Sequence, residues 1–250
     1  MSSVETELEV LYRIGNAPVL EYPYPHLYVP DIFPADFYSA IRRNLPPQSA
    51  LKTLGELGRV HGADGYPARG VLPLDPTALA VLEPAQRDFW ESMRQWLLGR
   101  RFADTMIGKF APYLAQRFGD LRNVRFGNEA LIVRDRTTYS LGPHTDAPSK
   151  ALSFLFYLPP DASMAHLGTS IYVPRDSAFV CPGGPHYASD KFQRMRTLPY
   201  VPNALFAFMK THNSFHGVEP IEEPEVQRDL LLYDIRAEAA APQGAKFSFS

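Results

Sequence analysis

Two histidines and one aspartate in this chain are spaced so that they could share a metal ion. His144 and Asp146 stand two apart in Gly142-Pro143-His144-Thr145-Asp146, and His216 lies downstream in Ser214-Phe215-His216-Gly217-Val218-Glu219-Pro220. On a β-strand, residues two apart project to the same side, so His144 and Asp146 can face one ion. Two imidazoles and a carboxylate can take three corners of an octahedral ion and leave the opposite face open to substrate and O2. That set suits non-haem Fe(II). Arg228 follows, opening the apolar run to Ile235. As a strand residue it shares a face with Leu230 and Leu232, a costly position for a charge unless it meets an anion.

His-x-Asp alone is a weak signal in a chain with seven histidines. Order, spacing and the downstream arginine carry the reading together. The bland alternative is three unrelated polar residues at strand ends. A His2Asp zinc hydrolase is the other metal reading, but catalytic zinc usually comes with a nearby general base, and none stands here at a fixed spacing.

The same residues resemble the Fe(II)/2-oxoglutarate-dependent dioxygenases, in particular their prolyl-4-hydroxylase-like branch. The resemblance runs from about Leu131 to Ile235. It includes the strand 151–158, the segment Gly168-Thr169-Ser170-Ile171-Tyr172, and Pro202 to Phe208 before the distal histidine. It implies that His144, Asp146 and His216 hold Fe(II), that Arg228 binds 2-oxoglutarate, and that Tyr157 supports the same carboxylate. No catalytic residue beyond the metal centre is implied. One position departs from the pattern: many relatives carry Ser or Thr two residues after the arginine, where this chain has Leu230. The missing hydroxyl must come from elsewhere, and Tyr157 is the candidate. The implied reaction consumes O2, releases succinate and CO2, and hydroxylates or otherwise oxidises an unactivated C–H bond. Halogenating relatives usually have a small residue where Asp146 stands, so its carboxylate favours oxygen transfer.

Substrate contacts are less legible. Arg134, on the strand leading to His144, is a candidate for an anionic group, with an ion pair to Asp135 or another surface acid as its rival reading. His212 is four residues before His216 and competes with it as a ligand. With Asn213 it is read instead as a substrate contact, because Gly-Val-Glu-Pro follows His216. His186 lies in a loop, where a substrate role is a minority reading. His26, His61 and His166 have no partner spacing. The pocket lining is expected from Gly55 to Leu74, the strand end near Arg134, the loop 174–196 and the His212-Asn213 corner. With Arg69, Arg134, Arg175, Lys210 and His212 available, a polar or anionic small molecule is the expected substrate. The alternatives are a protein or peptide side chain, or a non-catalytic jelly-roll protein that binds a metal or ligand.

The elements that position these residues follow from pattern. Pro34 starts a helix over 31–45 that Pro46-Pro47 ends. Further helices are expected over about 76–98, split or kinked at Pro84, and over 102–118, with Trp90 and Trp96 in the core. Residues 1–30 read as a short strand or helix and then an edge strand around His26 to Val29. The glycine-rich segment Leu54 to Asp75 reads as a mobile loop and a candidate lid. Strands are expected over 126–139, 151–158, 169–173, 204–209, 215–220 and 228–236. The fold class is α+β: a helical layer packed on a jelly roll, which the resemblance makes a cupin-like double-stranded β-helix. The expected organisation is one domain over 1–250, with helical support and lid over 1–125, the β core over 126–236 and a flexible tail over 237–250.

Composition bounds the partners. The 250 residues carry 25 Lys+Arg and 27 Asp+Glu, a formal net charge of −2 with no basic cluster. Nucleic acid is therefore not expected as a partner. The first residues lack a basic, then apolar, leader, and no apolar stretch reaches the roughly 20 residues that span a bilayer. The single cysteine, Cys181, suits a reducing compartment and reads as a small buried or loop thiol. A soluble cytoplasmic protein without membrane contact is expected, its oligomeric state left open.

Overall fold

The structure is a computed structural model that describes residues 3–59 and 66–238. Its helices are α1 (Ser3–Asn16), α2 (Ala35–Arg43), α3 (Pro76–Leu79), α4 (Pro84–Leu97) and α5 (Arg100–Phe118). Its strands are β1 (His26–Val29), β2 (Arg69–Pro73), β3 (Arg125–Arg136), β4 (Leu141–His144), β5 (Lys150–Tyr157), β6 (Thr169–Pro174), β7 (Phe192–Leu198), β8 (Ala204–Met209), β9 (His216–Val218) and β10 (Gln227–Glu238). Two antiparallel sheets form, a larger one in the order β1-β8-β5-β10-β3-β2 and a smaller one in the order β4-β9-β6-β7.

Strand parity builds two apolar layers from one sheet. On β10, Leu231, Tyr233 and Ile235 face the helices, while Leu230 faces the space between the sheets. On β3, Ile132 faces the helices and Val133 faces inward. Alternate residues on a strand point to opposite faces, so a run apolar throughout is a strand covered on both sides. The helical cover comes from Trp90, Met93 and Leu97 of α4 and from Phe102, Met106, Phe110 and Leu114 of α5, all buried. Trp90 is 0 % exposed and its indole N–H donates to Asn44 O at 2.6 Å, tying α4 to the end of α2.

Proline punctuates the helical layer. The Asp75 carboxylate accepts from Ala78 N at the start of α3, with Pro76 in its first turn, and Pro84 opens α4. Proline is tolerated there because the first-turn N–H groups have no helical acceptor. The helical stretch over 76–98 is therefore split at Pro84 into two helices. The N-terminal residues left between strand and helix form α1. Three strands were not among those expected: β2, β4, whose sequence contains Gly142 and Pro143, and β7, whose polar outer face hides its alternation. The segment expected as one loop from Leu54 to Asp75 contains β2, which pairs with β3 at the edge of the larger sheet. Residues 60–65 of that segment, His61 among them, and the tail 239–250 lie outside the described residues. Among the described residues, no helix is long and apolar enough to cross a membrane.

Candidate metal centre

The smaller sheet brings the three candidate ligands together. His144 ends β4 and His216 begins β9, and the two are direct partners in that antiparallel pair. Opposed residues share a face, so their rings stand side by side with centroids 4.3 Å apart. Asp146 lies two residues beyond His144, and its Oδ1 is 3.9 Å from His144 Nε2 and 3.8 Å from His216 Nε2. One donor atom from each of the three residues falls within 4.8 Å of the others. A first-row ion about 2.0–2.2 Å from each donor would hold them roughly 3 Å apart, so binding would draw the donors together by about 1–2 Å.

Backbone carbonyls orient both rings. His144 Nδ1 lies 3.0 Å from Gly142 O, and His216 Nδ1 lies 2.9 Å from Ser214 O. A carbonyl can only accept, so each Nδ1 carries the proton and each Nε2 presents a lone pair. Ser153 Oγ donates to Asp146 Oδ2 at 2.8 Å, leaving Oδ1 toward the imidazoles. Lys150, on the next strand, sits 3.5 Å from Asp146 Oδ1 and 2.9 Å from Asp234 Oδ2.

The electrostatics set the protonation a metal needs. Burial, then the neighbouring His216, pushes the His144 imidazole well below its ordinary value, and burial likewise lowers His216. Burial opposes ionisation of Asp146, but the Lys150 ammonium, either imidazole when protonated, and the Ser153 hydrogen bond outweigh it and hold its carboxyl well below the usual range. Neutral imidazoles beside an ionised carboxylate are the deprotonated ligands that a divalent ion requires.

A cavity of about 250 Å³ opens on this cluster, and its lining includes Arg69, Tyr139, His144, Asp146, Lys150 and His186. Tyr66 joins it from the other side, its hydroxyl 3.2 Å from His186 Nε2, and the His186 ring lies 4.6 Å from that of His144.

Arg228 faces the space between the sheets and is 0 % exposed. Its Nη1 donates to Asp135 Oδ2 at 2.7 Å, its Nε to Leu167 O at 2.7 Å, and its Nη2 to Thr169 Oγ1 at 3.4 Å. The Tyr157 and Tyr200 rings stand 5.8 and 5.1 Å from the guanidinium. The Tyr157 hydroxyl accepts from Thr169 N at 3.2 Å.

Three candidate substrate contacts need correction. Arg134 lies one residue before Asp135 and so points to the helix-covered face, where Nε donates to Asp229 Oδ1 at 2.7 Å. Strand parity takes it away from the metal cluster, and the ion-pair reading holds. His212 and Asn213 are exposed and line a separate surface cleft of about 440 Å³ with Glu21, Tyr24 and Arg117. Asn213 Nδ2 donates to Pro23 O at 3.0 Å. The corner 211–214 turns away from the cluster before the chain enters β9. Lys210 is buried behind the site, donating to Thr145 Oγ1 at 3.1 Å. Residues that sequence reasoning left without a role are Tyr139, Lys150 and Ser153, and Asp135, expected as a partner for Arg134, pairs with Arg228 and Arg69 instead. Only Lys150 carried a signal, as a cation at the head of a strand that follows an acid.

No protein-family model matches this sequence, and no curated protein matches it. Solved structures share its fold. The non-haem α-ketoglutarate-dependent epimerase SnoN from nogalamycin biosynthesis superposes with a TM-score of 0.51 at 14 % identity, covering 92 % of this chain and 80 % of that one. A structure from work on prolyl 4-hydroxylases of Phytophthora capsici superposes with a TM-score of 0.52 at 11 % identity, covering 100 % of this chain and 70 % of that one. The chain therefore has the double-stranded β-helix fold of the Fe(II)/2-oxoglutarate oxygenases, with an N-terminal helical layer on its larger sheet, as the motifs implied.

Proposed function

We propose that this protein is an Fe(II)- and 2-oxoglutarate-dependent dioxygenase that hydroxylates, or otherwise oxidises, a C–H bond of a polar small molecule. The observation that carries the reading is the convergence of His144 Nε2, Asp146 Oδ1 and His216 Nε2 on one point beside a cavity. The donor set fits Fe(II): two nitrogens and one carboxylate oxygen, each with its second polar atom already occupied. When bound, Fe(II) with 2-oxoglutarate would activate O2 for C–H oxidation, with succinate and CO2 as coproducts.

In this reading the chain's residues divide the work. His144, Asp146 and His216 hold the ion on one side. Arg228, with Tyr157 beside it, supplies positive charge for the dicarboxylate, since a guanidinium cannot neutralise itself in a dry pocket. The β-strands keep these groups rigid while the loops bearing Tyr66 and His186 cover the cavity. Asp146 occupies the position a halide would need, which favours oxygen transfer. One fold neighbour is an epimerase and the other comes from work on hydroxylases, so the fold accommodates more than one outcome, and placement of the substrate C–H decides among them.

The test is anaerobic reconstitution with Fe(II) and 2-oxoglutarate, followed by exposure to O2 with quantification of succinate. Iron-dependent succinate is expected; its absence across a broad panel of polar small molecules would reject the assignment. A second reading, a non-catalytic jelly-roll metal-binding protein, has one observation in its favour. All three Arg228 nitrogens are already bound to protein acceptors. Metal binding without succinate formation would establish that reading instead.

A further inference from the structure

Across three neighbouring strands, Arg69 of β2, Asp135 of β3 and Arg228 of β10 stand in one row, for Asp135 is the direct partner of both arginines. Directly opposed residues share a face. All three therefore project between the sheets, as the inward-facing Val71 and Val133 confirm for β2 and β3. Asp135 is 0 % exposed and accepts from both guanidiniums: Arg69 Nε at 2.6 Å and Nη2 at 2.9 Å, and Arg228 Nη1 at 2.7 Å. Two guanidiniums and one carboxylate leave the row with one surplus positive charge beside the cavity. A surplus buried charge is costly until an anion meets it.

The two arginines differ in what they can still offer. Each Arg228 nitrogen has a protein acceptor, and Arg228 does not line the cavity. Arg69 lines the cavity together with His144 and Asp146, and its Nη1 makes no hydrogen bond among the described residues. The guanidinium lies 4.3 Å from the ring centre of Tyr139, which also lines the cavity. Tyr139 is 2 % exposed, yet its hydroxyl has no hydrogen-bond partner among the described residues. Burial pushes this phenol's pKa up, so the hydroxyl keeps its proton and stands as an unused donor. A buried donor left without an acceptor is costly, and native structures seldom keep one without a reason.

We infer that Arg69 and Tyr139 form a carboxylate subsite inside the metal pocket and hold the distal carboxylate of the dicarboxylate cosubstrate. This deepens the oxygenase reading and rests on it. Arg69 Nη1 and the Tyr139 hydroxyl donate to the incoming carboxylate, and Arg228 acts from behind through Asp135, which both arginines clamp. One surplus charge matches one carboxylate, so the distal end of the cosubstrate saturates the row. The hydroxyl that Leu230 cannot supply, two residues after Arg228, comes from Tyr139. Tyr157 is less suited to that task because its oxygen already accepts from Thr169 N.

The experiment measures binding, not turnover. Mn(II)-loaded protein is titrated without O2 by calorimetry against 2-oxoglutarate and against 2-oxopentanoate, which keeps the oxo acid end and lacks the distal carboxylate. Wild type should prefer 2-oxoglutarate by at least tenfold. Arg69→Met should weaken 2-oxoglutarate at least tenfold and change 2-oxopentanoate less than twofold, while Arg69→Lys recovers part of the loss. Tyr139→Phe removes only an unpaired hydroxyl, so the fold should be undisturbed and 2-oxoglutarate should weaken several-fold. Unchanged 2-oxoglutarate affinity in both Arg69→Met and Tyr139→Phe would overturn the subsite and leave the oxygenase reading standing. Equal loss of both oxo acids in Tyr139→Phe would also overturn it, showing a role at the metal end. Wild type that binds Mn(II) but neither oxo acid would overturn the oxygenase reading itself.

Discussion

Arg134 and Arg228 serve opposite faces of the same sheet: Arg134 pairs with Asp229 on the helix side, and Arg228 pairs with Asp135 between the sheets. In the β3–β10 register each arginine is the direct partner of the aspartate it binds. The two Arg-Asp pairs are thus stacked through the sheet, one beneath the helices and one beside the candidate site. This arrangement separates an arginine beneath the helices from the arginine proposed to serve the cosubstrate, and the two should respond differently to mutation.

Arg134→Ala should lower unfolding free energy by about 3 kcal/mol, because removing one partner of a buried ion pair strands the other charge. Among the described residues, the Asp229 carboxylate would keep only Arg42, 3.6 Å away, as an ionic partner. Urea denaturation reads the loss. The 2-oxoglutarate requirement of the folded variant should stay within twofold of wild type; a large rise would return Arg134 to the pocket.

Arg228→Ala should raise the 2-oxoglutarate requirement, because it removes the guanidinium that clamps Asp135 from behind and so loosens Arg69 on the same carboxylate. Steady-state dependence on 2-oxoglutarate checks it. An unaltered requirement would remove Arg228 from the cosubstrate account.

The ligand assignment predicts that His144→Ala, Asp146→Ala and His216→Ala each abolish turnover and cut bound metal, measured by elemental analysis, while circular dichroism stays near wild type. His212→Ala should behave as wild type, since His212 lies in the surface cleft. A dead His212→Ala with an active His216→Ala would reverse the assignment.

The depressed imidazoles give a pH signature. Two imidazoles with ordinary values of about 6.5 would each be half protonated at pH 6.5, costing about fourfold in metal affinity relative to pH 8. With His144 and His216 both held lower in the metal-free fold, the loss should be smaller than that. Mn(II) titrations at the two pH values decide this. The same shifts bear on stability. The unfolded chain takes up these protons near pH 6.5 while the metal-free fold does not, so stability is full above that pH and declines below it. Asp146, held down in the fold, acts in the same direction at lower pH, its contribution present above about 4 and lost below. Denaturation of metal-free protein should therefore be easier at pH 5.5 than at 7.5, and equal midpoints would contradict the shifts.

Contact between Tyr66 and His186 over His144 predicts a coupling role. His186→Ala should open the cavity to water and raise succinate formed per oxidised product, measured by mass spectrometry. A ratio equal to wild type would make the contact incidental.

What the sequence determined by itself was local and periodic. The His144/Asp146 parity, the inward face shared by Arg228, Leu230 and Leu232, and the doubly apolar run at Phe154 to Leu158 follow from a period of two and were legible without coordinates. Pro34 likewise marked a helix start and Pro84 a break in the helical stretch, because a missing N–H and a fixed φ act within one turn. The tertiary structure decided everything that depends on register between distant strands. That Asp135 faces Arg228, and Arg69 faces Asp135, follows from β2, β3 and β10 becoming neighbours in one alignment. A one-residue slip would send those charges to the helical face. Arg134 shows the same limit: its spacing from His144 was readable, but its face was settled only when Asp229 arrived opposite it. His212 and His216 differ by four residues and share a parity, yet the chain turns at 211–214 before β9 begins. Parity predicts a side only while a strand stays regular, so only the fold could send one histidine to the metal cluster and the other to the surface.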